Sequence, residues 1–523
     1  MLHLSISELH KQFLTKSLLP SSVIRQSLNR TEALSDLNIF ITKAPSQSIL
    51  AEAAEADIRY EEQCSRGVLD GLSVAVKDNF CTKHMKTSCG SLMLDNFISP
   101  YNATVVQKCV DSGGLIIGKT NLDEFAMGSG TIDSYIGPTK NIWKSSSAKY
   151  KLIDSDDNVI SVHDDADGDW LVAGGSSGGS AVSVAAGVSV AGLGSDTGGS
   201  VRIPAAWTGV VSIKPSYGRL SRHGLIPLVN SLDCPGIMTR SVSDLSIMMN
   251  IVQGRDTMDS TSVVSAQIDL SDDDVRGIEG LRVGVPQEFH CQGMSDEVVE
   301  AWSDVADLLD NAGARLVPVS LPHTSLAIPC YSVLNPCEVA SNMSRYDGLQ
   351  YGLRGEGAST EDMFADGRAR GFNEVVRGRI LAGNYFLLKK HYKKYFDQAL
   401  RVRRLIRDDY LRVWSQCDLL LTPVTLTLPP LYSAFSSVDN RTQTATQDFC
   451  TQPMNLAGVP ALTLPVKLSQ SHLPISLQLV APWHQDHKLL QLAAWIEKQV
   501  RFPRLVIDDD MSSCSDIKSD SLS

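Results

Sequence analysis

The chain has 523 residues, 43% apolar and 20% charged. These values are close to those of soluble globular proteins, which excludes disorder over most of the length and supplies ample material for a large core. The 47 Lys and Arg against 59 Asp and Glu leave a net charge of −12, which argues against a surface that binds nucleic acid strongly, because phosphate binding needs clustered cations. The 11 scattered cysteines include no CxxC pair and read as reduced, mostly buried thiols rather than a disulfide framework or zinc site. No run reaches the roughly 18 apolar residues of a membrane span.

Residues 5–65 read as helices. Ile6, Leu9, Phe13 and Leu14 fall at helical spacing, and an Ala/Glu-rich run extends from Ser48 to Glu62. The first 30 residues also hold Lys11, Lys16, Arg25 and Arg30 against one acid, Glu8; a mitochondrial presequence and an amphipathic first helix both fit. A short strand, Leu72 to Val76, ends at Lys77-Asp78-Asn79, and a helix-then-strand unit spans Ala103 to Gly118. Residues 141–170 carry seven aspartates between Asp154 and Asp169 and no Lys or Arg there, the composition of a solvated insertion loop. Gly-rich sequence follows from Gly174 to Gly209. Residues 295–410 look mainly helical, with a basic amphipathic run near Lys389–Arg407, and short strands return at Leu419–Thr422 and Ala461–Val466. The tail after Ile507 is rich in Asp and Ser. Strands alternating with helices predict an α/β fold, divided into an N-terminal helical segment (1–65), a main domain (66–500) that contains the acidic insertion, and a polar tail (501–523).

Three motifs compete for the chemistry. Gly113-Gly-Leu-Ile-Ile-Gly118-Lys119-Thr120 matches GxxxxGK[ST], but Leu115-Ile116-Ile117 favours a buried strand over a phosphate loop, and Asp123 and Glu124 follow where phosphate charge would sit. Gly174-Gly-Ser176-Ser177-Gly178-Gly179-Ser180 precedes an Ala/Val-rich helix and contains GxSxG, which fits a nucleophile elbow, an anion loop or a plain turn. Gly194-Ser-Asp196-Thr197-Gly198-Gly199-Ser200 is a nest whose glycines turn several amides to one point, with a serine at its end. A nucleophilic serine needs a base. His223 and Lys77 are both available; for Lys77, neutrality near pH 7 costs about 4–5 kcal/mol against the free amine, which full burial supplies.

Lys77, the Gly174–Ser180 loop and Asp196–Ser200, in this order and with 24 residues from Ser176 to Ser200, resemble the amidase signature family. The resemblance implies an α/β/α sandwich with a large mixed central sheet. It also implies Ser200 as nucleophile, Ser176 as bridging serine in a cis peptide, Lys77 as base, and an oxyanion hole from the amides around Thr197, Gly198, Gly199 and Ser200.

Gly118–Gly128, Ser221–Pro227, Ser231-Leu-Asp233, Glu338–Asn342, Arg345–Gly348 and Asn455–Pro460 are similar to one branch of that family, the glutamine-hydrolysing subunits of tRNA-dependent amidotransferases. The similarity runs from about residue 5 to 500. That likeness implies glutamine as substrate, with Asp448 on its ammonium, Arg379 on its carboxylate, and Ser129 and Tyr331 as further pocket contacts. Two departures from the pattern stand out: Gly378 where relatives carry a basic residue, beside the choice between Arg377 and Arg379, of which Arg379 is favoured, and Ser212 in place of a common Gly. Also implied are two partners, the B and C subunits of a heterotrimer, a mitochondrial matrix location, and no metal or cofactor in this chain. ATP and magnesium are expected chiefly on the partner, and Glu-tRNA(Gln) mainly on the B subunit. A free-standing amidase acting on small amides is the alternative.

Overall fold

In the computed structural model, which describes residues 1–145, 148–154, 156, 158–163, 168–268, 270 and 277–507, the short apolar runs pair into one mixed sheet. Its strands are β1 (Phe40–Lys43), β2 (Ser73–Lys77) and β3 (Leu115–Thr120) from the first part of the chain. A separate hairpin follows, β4 (Tyr150–Ile153) and β5 (Val159–His163). The main sheet resumes with β6 (Ala191–Asp196), β7 (Val211–Lys214), β8 (Cys234–Thr239), β9 (Arg282–Pro286), β10 (Arg315–Val319), β11 (Leu419–Pro423), β12 (Ala461–Leu468) and β13 (Pro474–Val480). Strand β14 (Arg504–Ile507) joins the hairpin. The 11-stranded order is β1-β3-β2-β6-β8-β7-β12-β13-β11-β9-β10. Parallel pairing holds β2 between β3 and β6, and β9 between β10 and β11; the other pairs are antiparallel.

Helices cover both faces of this sheet, giving the expected α/β sandwich. Strand β2 shows why two layers form. Val74 and Val76 enter one core with Leu193, Ile213 and Ile237, while Ala75 enters the opposite core with Ala181, Val182 and Val184, the alternation of a strand buried on both faces. The helix Gly178–Ala185 is buried throughout, as its Ala/Val composition requires.

Three expectations are corrected. Leu14 is exposed at 55%, whereas Ile6, Leu9 and Phe13 of the first helix are buried: Leu14 is the last residue of that helix, off the stripe that packs against the core. Residues 5–65 are not helices alone, because strand β1 lies within them; residues 295–410 are mainly helical as expected, interrupted by β10, whose Pro318 is tolerated because β10 is the sheet edge. The acidic insertion is not a loop throughout. Tyr150 and Leu152 alternate inward and are buried, Tyr150 packs on Trp143 with ring centroids 6.0 Å apart, and β14, within the expected tail, pairs with β4. The aspartates at 154 and 156 sit beyond the strand, where they do not oppose this packing. The aspartates at 164, 165 and 167 and residues 508–523 lie outside the described residues. The ten cysteines among the described residues are free, and no helix there is long and apolar enough to cross a membrane.

The GxxxxGKT segment is strand β3. Its register on β2 sets Val76 opposite Lys119 and Lys77 opposite Thr120. Lys119 Nζ lies 2.9 Å from Asp78 Oδ1 with both side chains fully buried, and it donates to Thr87 Oγ1 at 2.8 Å. Removing one partner of such a pair strands the other charge. Lys119→Met is expected to lose about 3–5 kcal/mol in denaturant unfolding; a lysine held for a phosphate would show unchanged stability and lost nucleotide binding instead.

Candidate active site

The site lies where β2 and β6 end side by side. Strand β2 delivers Lys77 fully buried. Its ammonium donates to Ser176 Oγ at 2.7 Å, Ser177 Oγ at 2.8 Å and the Ser195 carbonyl at 3.3 Å. Among the described residues it has no ion pair, because neighbouring Asp78 is committed to Lys119 and accepts from the Ser88 amide and hydroxyl at 2.8 and 2.6 Å. Burial lowers its pKa to about 7, although Asp123, Asp196 and Asp233 pull the other way.

The peptide bond Gly175–Ser176 is cis. The two glycines before Ser176 are required by close approach. Gly174 has φ +84°, and a methyl group on Gly175 would sit 2.3 Å from Asp123 Oδ2 and 2.5 Å from the Gly130 amide. Asp123 is held by the amides of Thr131, Ile132 and Asp133 at 2.9, 2.8 and 3.1 Å. Thr131 Oγ1 donates to the Gly174 carbonyl and accepts from the Gly178 amide, both at 2.9 Å.

Every residue from Leu171 to Gly199 is buried, and Ser200 is the first to reach solvent. Its carbonyl accepts from the Ser177 amide at 3.1 Å, which ties the two serine loops together. The amides of Thr197, Gly198, Gly199 and Ser200 donate no hydrogen bond among the described residues, so they remain available to an incoming oxyanion. The loop is pinned at both ends. Thr197 Oγ1 donates to Asp233 Oδ1 at 2.9 Å. Asp196 accepts a two-point contact from Arg202, at 3.1 Å from Nε and 2.9 Å from Nη2. Burial alone would raise the Asp196 pKa; the Arg202 guanidinium outweighs it and holds the carboxyl at about 2.

Beside the loop is a cavity of about 400 Å³ lined by Tyr331, Asn335, Arg379, Asn440 and Thr444. Arg379 donates to Asn335 Oδ1 and Asn440 Oδ1 at 3.2 and 3.3 Å, and Asn335 Nδ2 donates to the Tyr331 hydroxyl at 2.8 Å. Ser129 Oγ donates to Thr444 Oγ1 at 3.3 Å and faces Asp448. A methyl group on Gly198 would lie 2.9 Å from Asp448 Oδ2; Asp448 does not itself line the cavity, and it meets the cavity wall through Ser129, which donates to Thr444, and through the charge of Arg379. Burial raises its pKa to about 8, with Arg379 opposing.

The fold thus gathers Lys77, Ser176, Thr197, Gly198, Gly199 and Ser200 at one strand end, and Ser129, Tyr331, Arg379 and Asp448 beside them. Arg377 does not line the cavity; it donates to the Ala369 carbonyl at 3.2 Å. His223 lies elsewhere, 3.2 Å from Thr104 Oγ1 and stacked on Tyr101, with no hydrogen bond to Ser176 or Ser200. The supporting roles of Asp123, Thr131 and Arg202 escaped the sequence reading, because the groups they brace, Gly175, the Gly174 carbonyl and Thr451, are brought to them only by the fold.

Residues 22–148 and 166–490 match the amidase family; the interval between them contains both strands of the β4–β5 hairpin. The A subunit of the mitochondrial glutamyl-tRNA(Gln) amidotransferase of Aedes aegypti is 51% identical over 504 residues, covering 96% of this chain and 98% of that protein. The protein of the same name from Anopheles gambiae is 51% identical over 492 residues, covering 94% and 96%. The crystal structure of the glutamyl-tRNA(Gln) amidotransferase A subunit from Thermotoga maritima superposes with a TM-score of 0.73 at 33% identity, covering 95% of each chain. The chain therefore belongs to the amidase family and, within it, to the group formed by the A subunits of glutamyl-tRNA(Gln) amidotransferases.

The low pKa of Lys77 links to stability. Below pH 7 both folded and unfolded chains hold the proton, and the folded state bears the full cost of burying it. Above about 7 the folded chain releases the proton, while the unfolded chain keeps it up to about 10.4. The unfolded state then binds more protons, and stability rises with pH. Lys77→Met abolishes this slope. Its stability relative to the parent is expected to fall by about 1.4 kcal/mol per pH unit from pH 7 to 9, measured by denaturant unfolding; a constant difference would place a charged lysine at 77.

Proposed function

We propose that this chain is the glutaminase subunit of a glutamyl-tRNA(Gln) amidotransferase, hydrolysing glutamine to glutamate and supplying the ammonia that converts Glu-tRNA(Gln) to Gln-tRNA(Gln). The observation that carries this reading is a fully buried lysine, hydrogen-bonded to Ser176 and without an ion pair among the described residues, beside a half-open serine at the end of a nest whose amides are unused among those residues. Asp448 and Arg379 supply the opposite charges that an amino-acid head group requires.

In this mechanism neutral Lys77 accepts the Ser176 hydroxyl proton as Ser176 takes that of Ser200. Ser200 Oγ bonds to the glutamine side-chain carbonyl carbon, and the free amides of Thr197, Gly198 and Gly199 receive the oxyanion. The C–N bond then breaks. The Lys77 proton returns through Ser176 to the leaving nitrogen, ammonia departs, and a glutamyl ester remains on Ser200. Water, deprotonated by the same relay, cleaves that ester to glutamate. Asp448 holds the substrate ammonium and Arg379 its carboxylate, with Ser129 and Tyr331 on the pocket wall.

Membership in this group entails partner subunits. We assign these as the B and C subunits of a heterotrimer, with ATP, magnesium and Glu-tRNA(Gln) bound chiefly by the B subunit and no cofactor in this chain. The mitochondrial names of the relatives support a mitochondrial location, and we assign the matrix.

With the assembled complex, Lys77→Ala, Ser176→Ala and Ser200→Ala are each expected to lower glutamine hydrolysis by about a thousandfold or more, while His223→Ala retains it. Loss confined to Ser176→Ala and His223→Ala would overturn the Ser–Ser–Lys assignment. The pH profile is a second check. Lys77 must be neutral and Asp448 ionised, so kcat/KM for glutamine should rise with pH through about 7 to 8; a profile falling over that interval contradicts both roles.

A further inference from the structure

Residues 448–452 pack directly on the oxyanion loop. Thr451 Oγ1 donates to the Gly198 carbonyl at 2.6 Å, and the Gln452 amide donates to the Asp448 carbonyl at 2.8 Å. The Gln452 side chain is fully buried, yet neither its Oε1 nor its Nε2 has a hydrogen-bond partner among the described residues. Turning the carboxamide over exchanges the two atoms and leaves the deficit in place. Gln478, equally buried, shows the ordinary solution: its Oε1 accepts from Arg202 at 2.7 Å, and its Nε2 donates to Thr422 and the Cys450 carbonyl, both at 3.0 Å. Leaving a buried polar group unpaired is destabilising, so Gln452 is held at an expense that its own fold does not recover.

Its position says what recovers it. A methyl group on Gly198 would lie 2.3 Å from Gln452 Oε1 and 2.9 Å from Asp448 Oδ2. The two oxygens therefore front the same small volume, two residues from the candidate nucleophile. An α-ammonium presents three N–H donors in a pyramid, and one carboxylate does not meet all three. A carboxamide oxygen beside that carboxylate is a neutral acceptor that stays unprotonated throughout the working pH range.

We propose that Gln452 is a substrate-contacting specificity residue, whose side-chain oxygen accepts a hydrogen bond from the α-ammonium of the bound amino acid alongside Asp448. This rests on the reading of the site as a glutamine site.

The test compares glutamine with glutaramate, the same amide without its α-amino group, on the assembled complex carrying Gln452→Leu or the unbranched Gln452→Met. Glutaramate is followed as substrate or, where turnover is too slow, through its inhibition constant. For glutamine, KM is expected to rise about tenfold or more with kcat little changed, while the constant for glutaramate stays at the parent value. The ligand-free variants should melt at or above the parent temperature, because an unpaired group has been removed. Equal losses on both ligands, or an unchanged KM for glutamine, would overturn the proposal. Ser200→Ala in the same assay keeps the two readings separate: persisting hydrolysis there defeats the glutaminase reading, whereas its loss beside parent-like Gln452 variants defeats only the assignment of Gln452.

Discussion

The site depends on a lysine amine that is buried without a carboxylate partner among the described residues. Removing an ammonium from water disfavours its charged form, and at most buried positions an acid is placed to restore it. Here the nearest acid in sequence, Asp78, is turned to Lys119 of the neighbouring strand. Asp196, at the end of β6, is saturated by Arg202. Asp123 is spent on three backbone amides. Each carboxylate that would otherwise pin Lys77 as a cation has another obligation, and the amine is left with two serine hydroxyls and a carbonyl. Its proton affinity is thereby matched to the pH at which a base must work.

The same commitments shape the backbone. Asp123 closes on Gly175 and Gly128 so tightly that no side chain fits there, which holds Ser176 under the amine. Asp196 and Asp233 fasten the two sides of the Thr197–Ser200 loop and leave its amides free. The acids thus fix geometry, and in fixing it they are withheld from Lys77. A substitution that released any of them would act on both, because a freed carboxylate would tend to re-protonate the lysine.

The proposed reacting groups were legible in the sequence because their chemistry is local. A lysine at a strand end and two serines in glycine nests stand out by composition alone, and the family resemblance favours Lys77 over His223, a choice that the residues left open. What supports them is not local. Lys119 matched a phosphate-loop string, and only the β2–β3 register shows it as the counter-ion of Asp78. Arg202 lies six positions from Asp196, but its other contacts, Thr451 and Gln478, come from distant strands and loops. Strand β10 was hidden by Pro318, and the β4–β5 hairpin by aspartates that crowd its flanks. Gln452 carries no sequence signal, since its significance is the absence of a partner.

In the proposed mechanism Ser200 carries the acyl group while Lys77 and Ser176 move its proton. Acid quenching of the assembled complex during turnover of glutamine, followed by peptide mapping, tests this directly. A glutamyl ester is expected on the peptide containing Ser200, at that residue. An ester on Ser176, or turnover with no ester at either serine, would contradict it.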